Sequence, residues 1–144
     1  MIDGELADDG DKQVPSVLIV DDDPAIRRML GNILRSEQPY TITEAEDGCT
    51  AKALLLERRF DVVITDLNMP KGMSGLDLLE WAKEHDPDGV WIILSGYASF
   101  ETAVRAIHLG AFDFIAKPLT SPAALKITVR NALEKRQWLV EREQ

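Results

Sequence analysis

Charged and hydroxyl side chains follow four hydrophobic runs of the chain, each at the point where the run ends. They are Asp21, Asp22 and Asp23 after residues 16–20, Asp66 after 61–65, Ser95 after 90–94, and Lys117 after 112–116. If the runs are parallel strands, their carboxyl ends lie along one edge of one sheet, where ligands of open α/β sheets bind. The sequence therefore predicts a site that combines a carboxylate cluster, a hydroxyl and a lysine.

A carboxylate cluster of this kind needs its charge neutralised. Three carboxylates about 5 Å apart repel one another by roughly 3 kcal/mol per pair at an effective dielectric near 20, and that repulsion would raise at least one pKa. Mg²⁺ relieves it because this ion takes oxygen ligands. Lys117 would supply a further point positive charge beside the carboxylates.

Strand-like and helix-like segments alternate five times from Ser16 onward. The predicted strands are 16–20, 40–46, 61–65, 90–94 and 112–116. The predicted helices are one that begins at Pro24, then 50–59, 75–85, 100–109 and 122–144. The first, third and fourth strands are nearly continuous apolar runs, which is typical of parallel strands covered on both faces. Five βα units with right-handed crossovers predict a doubly wound α/β fold in three layers.

Side chains at the helix ends agree with these boundaries. Asp23 is predicted to cap the first helix and Ser121 the last, each followed by proline. Ser99 is predicted to cap the fourth helix, and Gly110 to close it in a left-handed turn. The residues of the second helix predicted to face inward are Ala53, Leu54 and Leu56.

Length and charge narrow the function classes. A chain of 144 residues is the size of one domain, and its net charge of −9 argues against binding nucleic acid directly. No apolar stretch reaches membrane-spanning length and no signal peptide is evident. The single Cys49 cannot form an internal disulfide, which favours the cytoplasm. Cys49 is predicted to pack as a small hydrophobe at a helix start, with a reactive thiol as the alternative. Residues 1–15 are predicted to be a disordered acidic leader.

Four motifs in this order and spacing resemble the receiver domain of two-component response regulators. They are IVDDDP, DLNMP, LSGYAS and GAFDFIAKP, and the resemblance covers roughly residues 16–135. It implies a flavodoxin-like fold, with a five-stranded parallel sheet of order 2-1-3-4-5 between two helical layers. It further implies a signalling switch, and not an enzyme with a separate substrate. Such a switch takes a phosphoryl group from a sensor histidine kinase or a phosphotransfer protein and later removes it itself.

The resemblance also assigns roles to single residues. Asp66 matches the phosphoryl acceptor, with Ser95 and Lys117 as the hydroxyl and the lysine that contact the phosphoryl group. The implied ligands of Mg²⁺ (or Mn²⁺) are Asp21, Asp22, Asp66 and the backbone carbonyl of Asn68. The implied switch pair is Ser95 and Phe114, and the residues implied to tune dephosphorylation are Asn68 and Tyr97. The Lys117–Pro118 peptide bond is expected to be cis. In one departure from the pattern, Gly75 stands five residues after Pro70, so the loop is one residue longer than usual.

The last predicted helix is longer than the sheet requires. Residues 136–144 are predicted to extend it as a linker or dimer contact, with Trp138, Leu139 and Val140 exposed. Two pairs of alternatives stay open. The extension forms a homodimer contact or is a frayed end. The chain acts alone or is the front of a longer regulator with a C-terminal output domain, which the charged helical end favours.

Two other function classes fit an acidic site on this fold. One is a phosphohydrolase with an aspartyl nucleophile, of the haloacid-dehalogenase kind. Such an enzyme usually has a second acid two residues after the nucleophile, where this chain has Asn68. The other is a flavin-binding flavodoxin-like module.

Overall fold

A computed structural model describes residues 14–69, 72–96 and 100–142, and five strands alternate with five helices within these ranges. The strands are β1 (Ser16–Val20), β2 (Thr41–Ala45), β3 (Val62–Thr65), β4 (Val90–Ser95) and β5 (Asp113–Ala116). The helices are α1 (Pro24–Arg35), α2 (Gly48–Glu57), α3 (Gly75–His85), α4 (Phe100–His108) and α5 (Pro122–Arg142). The predicted order of elements is confirmed. Tyr97, Ser99 and residues 1–13 of the predicted leader lie outside the described residues.

All five strands run parallel in one sheet of order β2-β1-β3-β4-β5, as predicted. The central strands β1, β3 and β4 are almost wholly buried, which explains their continuous apolar sequences. Val20 lies beside Thr65, and Thr65 lies beside Ile93. The residues that follow these strands therefore emerge together at one edge of the sheet.

Helices cover both faces of the sheet and make three layers. Helices α1 and α5 pack over one core, whose sheet residues include Ile19, Ile64 and Ile92. Helices α2, α3 and α4 pack over the other, which includes Val20 and Val63. None of the helices in the described ranges combines the length and the apolar character needed to span a bilayer.

The predicted caps of α1 and α5 are confirmed. An oxygen of Asp23 accepts a hydrogen bond from the Ala25 amide at 2.9 Å, and Ser121 Oγ accepts one from the Ala124 amide at 3.1 Å. Gly110 has a φ of 106°, so it closes the turn after α4 in the conformation that favours glycine.

Of the three residues of α2 predicted to face inward, Leu54 does and Ala53 and Leu56 do not. Ala51 is buried, and Leu54 packs against the core, but Ala53 is exposed and Leu56 is 60% exposed. Apolar residues are nearly consecutive along this helix, so their spacing is compatible with more than one inward face. Contact with the sheet selects the face that carries Ala51.

The prediction that Cys49 packs as a small hydrophobe is also wrong, because Cys49 is exposed. Helix α2 begins at Gly48, two residues earlier than predicted, where the Asp47 carboxylate accepts a hydrogen bond from the Thr50 amide at 2.7 Å. With this start, Gly48 and Ala51 occupy the buried positions of the first turn, and Cys49 and Thr50 point outward.

The end of α5 is attached to the amino-terminal edge of the sheet. Arg136 is only 6% exposed, and its Nη1 donates to the carbonyl oxygen of Asp88 at 2.8 Å. Its guanidinium also lies 3.6 Å from a carboxylate oxygen of Asp86 and 3.8 Å from one of Asp61. We call these four residues the arginine cluster. It connects the last turns of α5 to the starts of β3 and β4.

Of the three apolar residues predicted to be exposed beyond Arg136, two are. Trp138 is 56% exposed and Val140 is 39% exposed. Leu139 instead packs against the core under α1 and α5. The prediction of a helix beyond residue 135 is confirmed as far as Arg142, whose guanidinium lies 3.5 Å from a carboxylate oxygen of Asp88.

Candidate functional site

Three carboxylates converge at the carboxyl edge of the sheet. One oxygen from each of Asp21, Asp22 and Asp66 lies within 4.8 Å of the other two. Asp21 is 1% exposed and Asp66 is 7% exposed, whereas Asp22 is open to solvent at the rim. We call these three residues the acidic pocket. It has a buried floor and one accessible side, as a site for a small charged ligand requires.

Backbone hydrogen bonds between the strands position the two buried aspartates. The Asp21 amide donates to the carbonyl of Ala45 on β2 at 3.1 Å, and the Asp66 amide donates to the carbonyl of Val20 on β1 at 3.0 Å. These bonds continue the pairing of the strands by one residue beyond their ends. The positions of Asp21 and Asp66 therefore follow from the register of the central sheet.

Glycine is required where α3 begins beside Asp66. The Gly75 amide donates to the Leu67 carbonyl at 3.1 Å, and a Cβ at position 75 would collide with the carbonyl oxygen of Asp66. The backbone of Gly75 thus approaches the residues after β3 more closely than any side chain would permit.

Lys117 brings a positive charge into the acidic pocket. Its Nζ donates to Asp21 Oδ2 at 2.8 Å and to Asp66 Oδ2 at 3.1 Å. Burial lowers the pKa of Lys117, but the hydrogen bonds and charges of Asp21 and Asp66 outweigh it, and the pKa is raised overall. The lysine is therefore a fixed ammonium ion at neutral pH. The Lys117–Pro118 bond is cis, as predicted.

The acidic pocket still carries more negative than positive charge. Desolvation, followed by the negative charge of Asp21, raises the pKa of Asp22 above its ordinary value. The side-chain atoms that could bind a metal ion here are all carboxylate oxygens, which suit hard divalent cations such as Mg²⁺ and Mn²⁺. The side chains present thus fit the metal ion that the sequence predicts.

Ser95 ends β4 on the same side of the sheet as Phe114. Its side chain is 2% exposed, and its Oγ has no hydrogen-bond partner within the described part of the chain. Ser95 pairs with Ala116, and Ile93 with Phe114, so Ser95 and Phe114 point toward the core under α2, α3 and α4. Phe114 is partly buried against that core. A buried hydroxyl without a partner can form a new hydrogen bond without first breaking an existing one.

The remaining predicted site residues are less directly engaged. Asn68 is exposed, and its backbone amide donates to Asp66 Oδ1 at 3.2 Å. Tyr97 lies outside the described residues. The Asp23 side chain, which the sequence assigned to a helix cap, makes that cap and is not one of the three clustered carboxylates, whereas its backbone amide donates to Asp21 Oδ1.

Sequence reasoning missed one residue that contacts the site. Arg27, on the first turn of α1 after its cap, donates from Nη1 to the carbonyl oxygen of Asp21 at 2.6 Å. The available signal was a basic residue four positions after a capping aspartate, which is too common among helices to single out Arg27.

Comparison with known proteins places the chain in a family. A profile of the response regulator receiver domain matches residues 17–130. The nitrogen assimilation regulatory protein NtrX of Azorhizobium caulinodans is 38% identical over 119 residues, which cover 82% of this chain and 26% of that protein. The response regulator protein PilR of Pseudomonas aeruginosa is 37% identical over 102 residues, which cover 71% of this chain and 22% of that protein. The chain therefore spans well under half the length of these relatives.

Solved structures agree with this assignment. A CheY-like receiver domain protein from Methanospirillum hungatei superposes with a TM-score of 0.81 at 31% identity, covering 87% of this chain and 98% of that one. A receiver domain protein from Clostridium thermocellum superposes with a TM-score of 0.80 at 30% identity, covering 88% and 99%. The chain thus belongs to the family of response regulator receiver domains, the signalling switches of two-component systems.

Proposed function

We propose that this receiver domain accepts a phosphoryl group on Asp66 from a sensor histidine kinase or a phosphotransfer protein. The observation that carries the proposal is the acidic pocket itself. Asp66 is nearly buried, shares its carboxylate with the ammonium of Lys117, and lies within 4.8 Å of two further carboxylates. The family assignment favours this interpretation over an aspartyl phosphohydrolase or a flavin-binding module.

The transfer would exchange one bond to phosphorus for another. An oxygen of Asp66 attacks the phosphorus atom of a phosphohistidine, the new P–O bond forms as the P–N bond breaks, and the imidazole leaves with the electron pair. The product is an acyl phosphate. Attack by water would later return the Asp66 carboxylate and inorganic phosphate, so the domain would reverse its own modification.

The side chains around Asp66 suit the charge that develops. Lys117 already donates to Asp66 Oδ2, and its ammonium would stay within reach of phosphoryl oxygens attached there. The Oγ of Ser95, which has no hydrogen-bond partner among the described residues, would donate a hydrogen bond to the same group. Asn68 and Tyr97 would set how readily water reaches the acyl phosphate.

A divalent cation fits this proposal. The carboxylates of Asp21, Asp22 and Asp66 and the backbone carbonyl of Asn68 would hold Mg²⁺ or Mn²⁺. When bound, the ion would neutralise charge on the carboxylates and on the phosphoryl oxygens. Lys117 neutralises only part of that charge, because one ammonium faces three carboxylates.

Phosphorylation would act on the rest of the domain through Ser95 and Phe114. If Ser95 moves toward a phosphoryl group, it vacates space on the face of the sheet where Phe114 packs. Phe114 would then turn inward and remodel the surface of α4, β5 and α5. The phosphoryl group would shift the balance between two conformations by contacting Ser95 in only one of them.

The partners of the domain follow from its surface and its relatives. Ile127 and Trp138, eleven residues apart on α5, are 51% and 56% exposed and lie on one side of the helix. They would support a homodimer through the last helix. The longer relatives, which include regulators of transcription by name, support an output domain under the control of this receiver. Transfer from the phosphoryl donor to this domain would take place in the cytoplasm.

Mass spectrometry of the intact protein tests the proposal. Incubation with acetyl phosphate and Mg²⁺ is expected to add one phosphoryl group to the wild type and none to Asp66→Asn. Asp61→Asn, at the opposite edge of the sheet, is the matched control and should be modified like the wild type. A wild type that stays unmodified, or an Asp66→Asn variant that is modified normally, would contradict the proposal.

A further inference from the structure

The loop that carries Asp21 and Asp22, two residues of the acidic pocket, is held in place by a side chain from outside the pocket. Asp21 and Asp22 lie between β1 and α1, and Arg27 of α1 reaches back over this loop. Arg27 Nη1 donates to the carbonyl oxygen of Asp21 at 2.6 Å, and Arg27 Nε donates to Glu44 Oε1 at 2.8 Å. One guanidinium thus joins the end of β1 to a side chain of the edge strand β2.

Asp21 is fixed at four points, and Arg27 supplies one of them. Its amide donates to the Ala45 carbonyl at 3.1 Å, Oδ1 accepts from the Asp23 amide at 2.9 Å, and Oδ2 accepts from Lys117 at 2.8 Å. The fourth contact is the carbonyl, which Arg27 holds. Asp21 is 1% exposed, so without Arg27 this carbonyl would be a buried acceptor that has lost a charged partner.

An arginine suits this position for a geometric reason. The guanidinium is planar and presents several N–H donors in a fixed fork, so it can serve the Asp21 carbonyl and the Glu44 carboxylate together. A lysine ammonium is a compact point charge on a flexible stem. The Arg27 side chain is 16% exposed, so its fork is held largely within the protein.

We propose that Arg27 is a positioning residue for the acidic pocket, which sets the backbone of Asp21 and Asp22 for metal binding. The inference rests on the proposed function, because it assumes that these aspartates bind a divalent cation. Arg27 touches neither the reacting atoms nor the metal ligands' carboxylates in the described contacts, and acts through the Asp21 backbone.

A role of Arg27 through its charge and a role through positioning predict opposite effects of its removal on Mg²⁺ binding. If its positive charge were all that mattered, removing a cation near three carboxylates would tighten the binding of Mg²⁺. If Arg27 positions the loop, its removal weakens the binding. Loss of a residue that orients metal ligands typically costs about 10-fold to 100-fold in affinity.

Calorimetric titration of the unphosphorylated protein with Mg²⁺ separates the two accounts. Arg27→Ala is expected to raise the Kd by about tenfold, at the lower end of what orienting residues contribute. Arg27→Lys keeps the charge but cannot span both acceptors, so its Kd should also rise. The matched control is Arg130→Ala, which removes an ion pair of the same 2.8 Å length, to Glu37, away from the pocket. Its Kd should stay within about twofold of the wild type.

Hydrogen exchange of the Asp23 amide, measured without metal, gives a second readout. This amide donates to Asp21 Oδ1. It should exchange faster in Arg27→Ala and Arg27→Lys and at the wild-type rate in Arg130→Ala. If Arg27→Ala does not fold, as judged by circular dichroism, the comparison of Arg27→Lys with Arg130→Ala decides.

The outcomes for the inference and for the proposed function are distinct. A wild type that binds Mg²⁺ while the Arg27 variants bind it equally or more tightly overturns the inference alone. A wild type that binds no Mg²⁺ overturns the proposed metal site, and the exchange of the Asp23 amide then still decides whether Arg27 positions the loop.

Discussion

Each of the two edges of the sheet places a cation among acidic residues, yet among the described residues only the carboxyl edge brings three carboxylates within 4.8 Å of one another. At the carboxyl edge, Lys117 lies between Asp21 and Asp66. At the amino edge, the arginine cluster sets Arg136 against residues from the starts of β3 and β4. The residue types are nearly the same, so the difference lies in what else the acidic groups contact.

In the arginine cluster the oxygens already have partners from the chain. Asp61 Oδ2 accepts from both the amide and the hydroxyl of Ser16, at 2.8 and 3.3 Å, and Asp86 Oδ1 accepts from the Asp88 amide at 3.3 Å. The arginine itself donates to a backbone carbonyl. Among the described residues, the only buried side-chain polar atom of this cluster that lacks a hydrogen-bond partner is Arg136 Nε. One guanidinium faces two carboxylates, so less negative charge is left uncompensated than in the acidic pocket.

In the acidic pocket the carboxylates crowd one another instead. Their oxygens lie within 4.8 Å with one ammonium between them, Asp22 faces solvent, and the Ser95 hydroxyl has no partner among the described residues. The uncompensated negative charge and the unused hydroxyl donor are energetically unfavourable, so both favour the binding of a ligand. The comparison teaches that the acidic pocket differs from the arginine cluster by its excess of negative charge, since the oxygens of Asp21 and Asp66 also accept hydrogen bonds.

Loss of the lysine should give the largest effect on function. Lys117→Met removes a preorganised donor to the Asp66 carboxylate, the proposed acceptor, so phosphorylation by acetyl phosphate should slow by about 100-fold. The control is Lys83→Met, which removes a partly buried lysine that donates to the Gly89 carbonyl near the amino edge. Phosphorylation rates measured by intact mass over time would show Lys83→Met near the wild type. Equal slowing in both variants would erase the proposed difference between the edges.

Loss of the arginine should change stability and spare function. Arg136→Ala removes a buried side chain, takes the positive charge from the partly exposed Asp61 and Asp86, and leaves the Asp88 carbonyl without this donor, which should lower the free energy of unfolding by about 2 kcal/mol. Urea unfolding measures this change. The exposed Arg130→Ala should shift the unfolding midpoint much less, because its pair with Glu37 is screened by water. A slower phosphorylation of folded Arg136→Ala would show that the arginine cluster is coupled to the acidic pocket.

The unpartnered hydroxyl should show opposite effects on stability and function. Ser95→Ala removes a buried polar group that has no hydrogen-bond partner in the described ranges, so the unmodified protein should be equally stable or up to about 1 kcal/mol more stable. Its phosphorylation should be slower, because the phosphoryl group loses a donor. Thermal unfolding and the rate of mass increase test the two halves. A marked loss of stability would mean that the hydroxyl has a partner in the unmodified protein.

The smallest effect on the folded monomer is expected at the exposed end of α5. The Trp138 ring contacts Lys135 and Arg142, and the residue is 56% exposed, so Trp138→Ala should change the free energy of unfolding by less than about 0.5 kcal/mol. It should nevertheless weaken self-association if α5 forms a homodimer. Sedimentation over a range of concentrations, with and without phosphorylation, checks this. A wild type that is monomeric at every concentration would remove the dimer.

The sequence predicted the acidic pocket well because its geometry depends on the strands. Buried parallel strands have continuous apolar sequences, and the register of β1, β3 and β4 places the residues after them at one edge. Asp21, Asp66 and Lys117 could therefore be brought together from the ends of apolar runs. The cap at Asp23 was equally local, since it depends on a side chain and an amide two residues apart.

The features that could not be predicted depend on contacts between distant elements. Arg136 interrupts an apolar helix face, and its one hydrogen-bond acceptor and two ion-pair partners come from three other positions in the chain. Arg27 reaches Glu44 on a strand seventeen residues away. The inward face of α2 was predicted only in part because nearly consecutive apolar residues suit several faces, and only packing on the sheet selects Ala51.

Locating the phosphoryl group on the wild-type chain tests the central claim most directly. After reaction with acetyl phosphate and Mg²⁺, the acyl phosphate can be trapped by reduction with borohydride, and the modified residue identified by peptide mass spectrometry. The modification is predicted at Asp66, between the buried Thr65 and Leu67. Finding it at Asp21, Asp61 or any other residue would contradict the account.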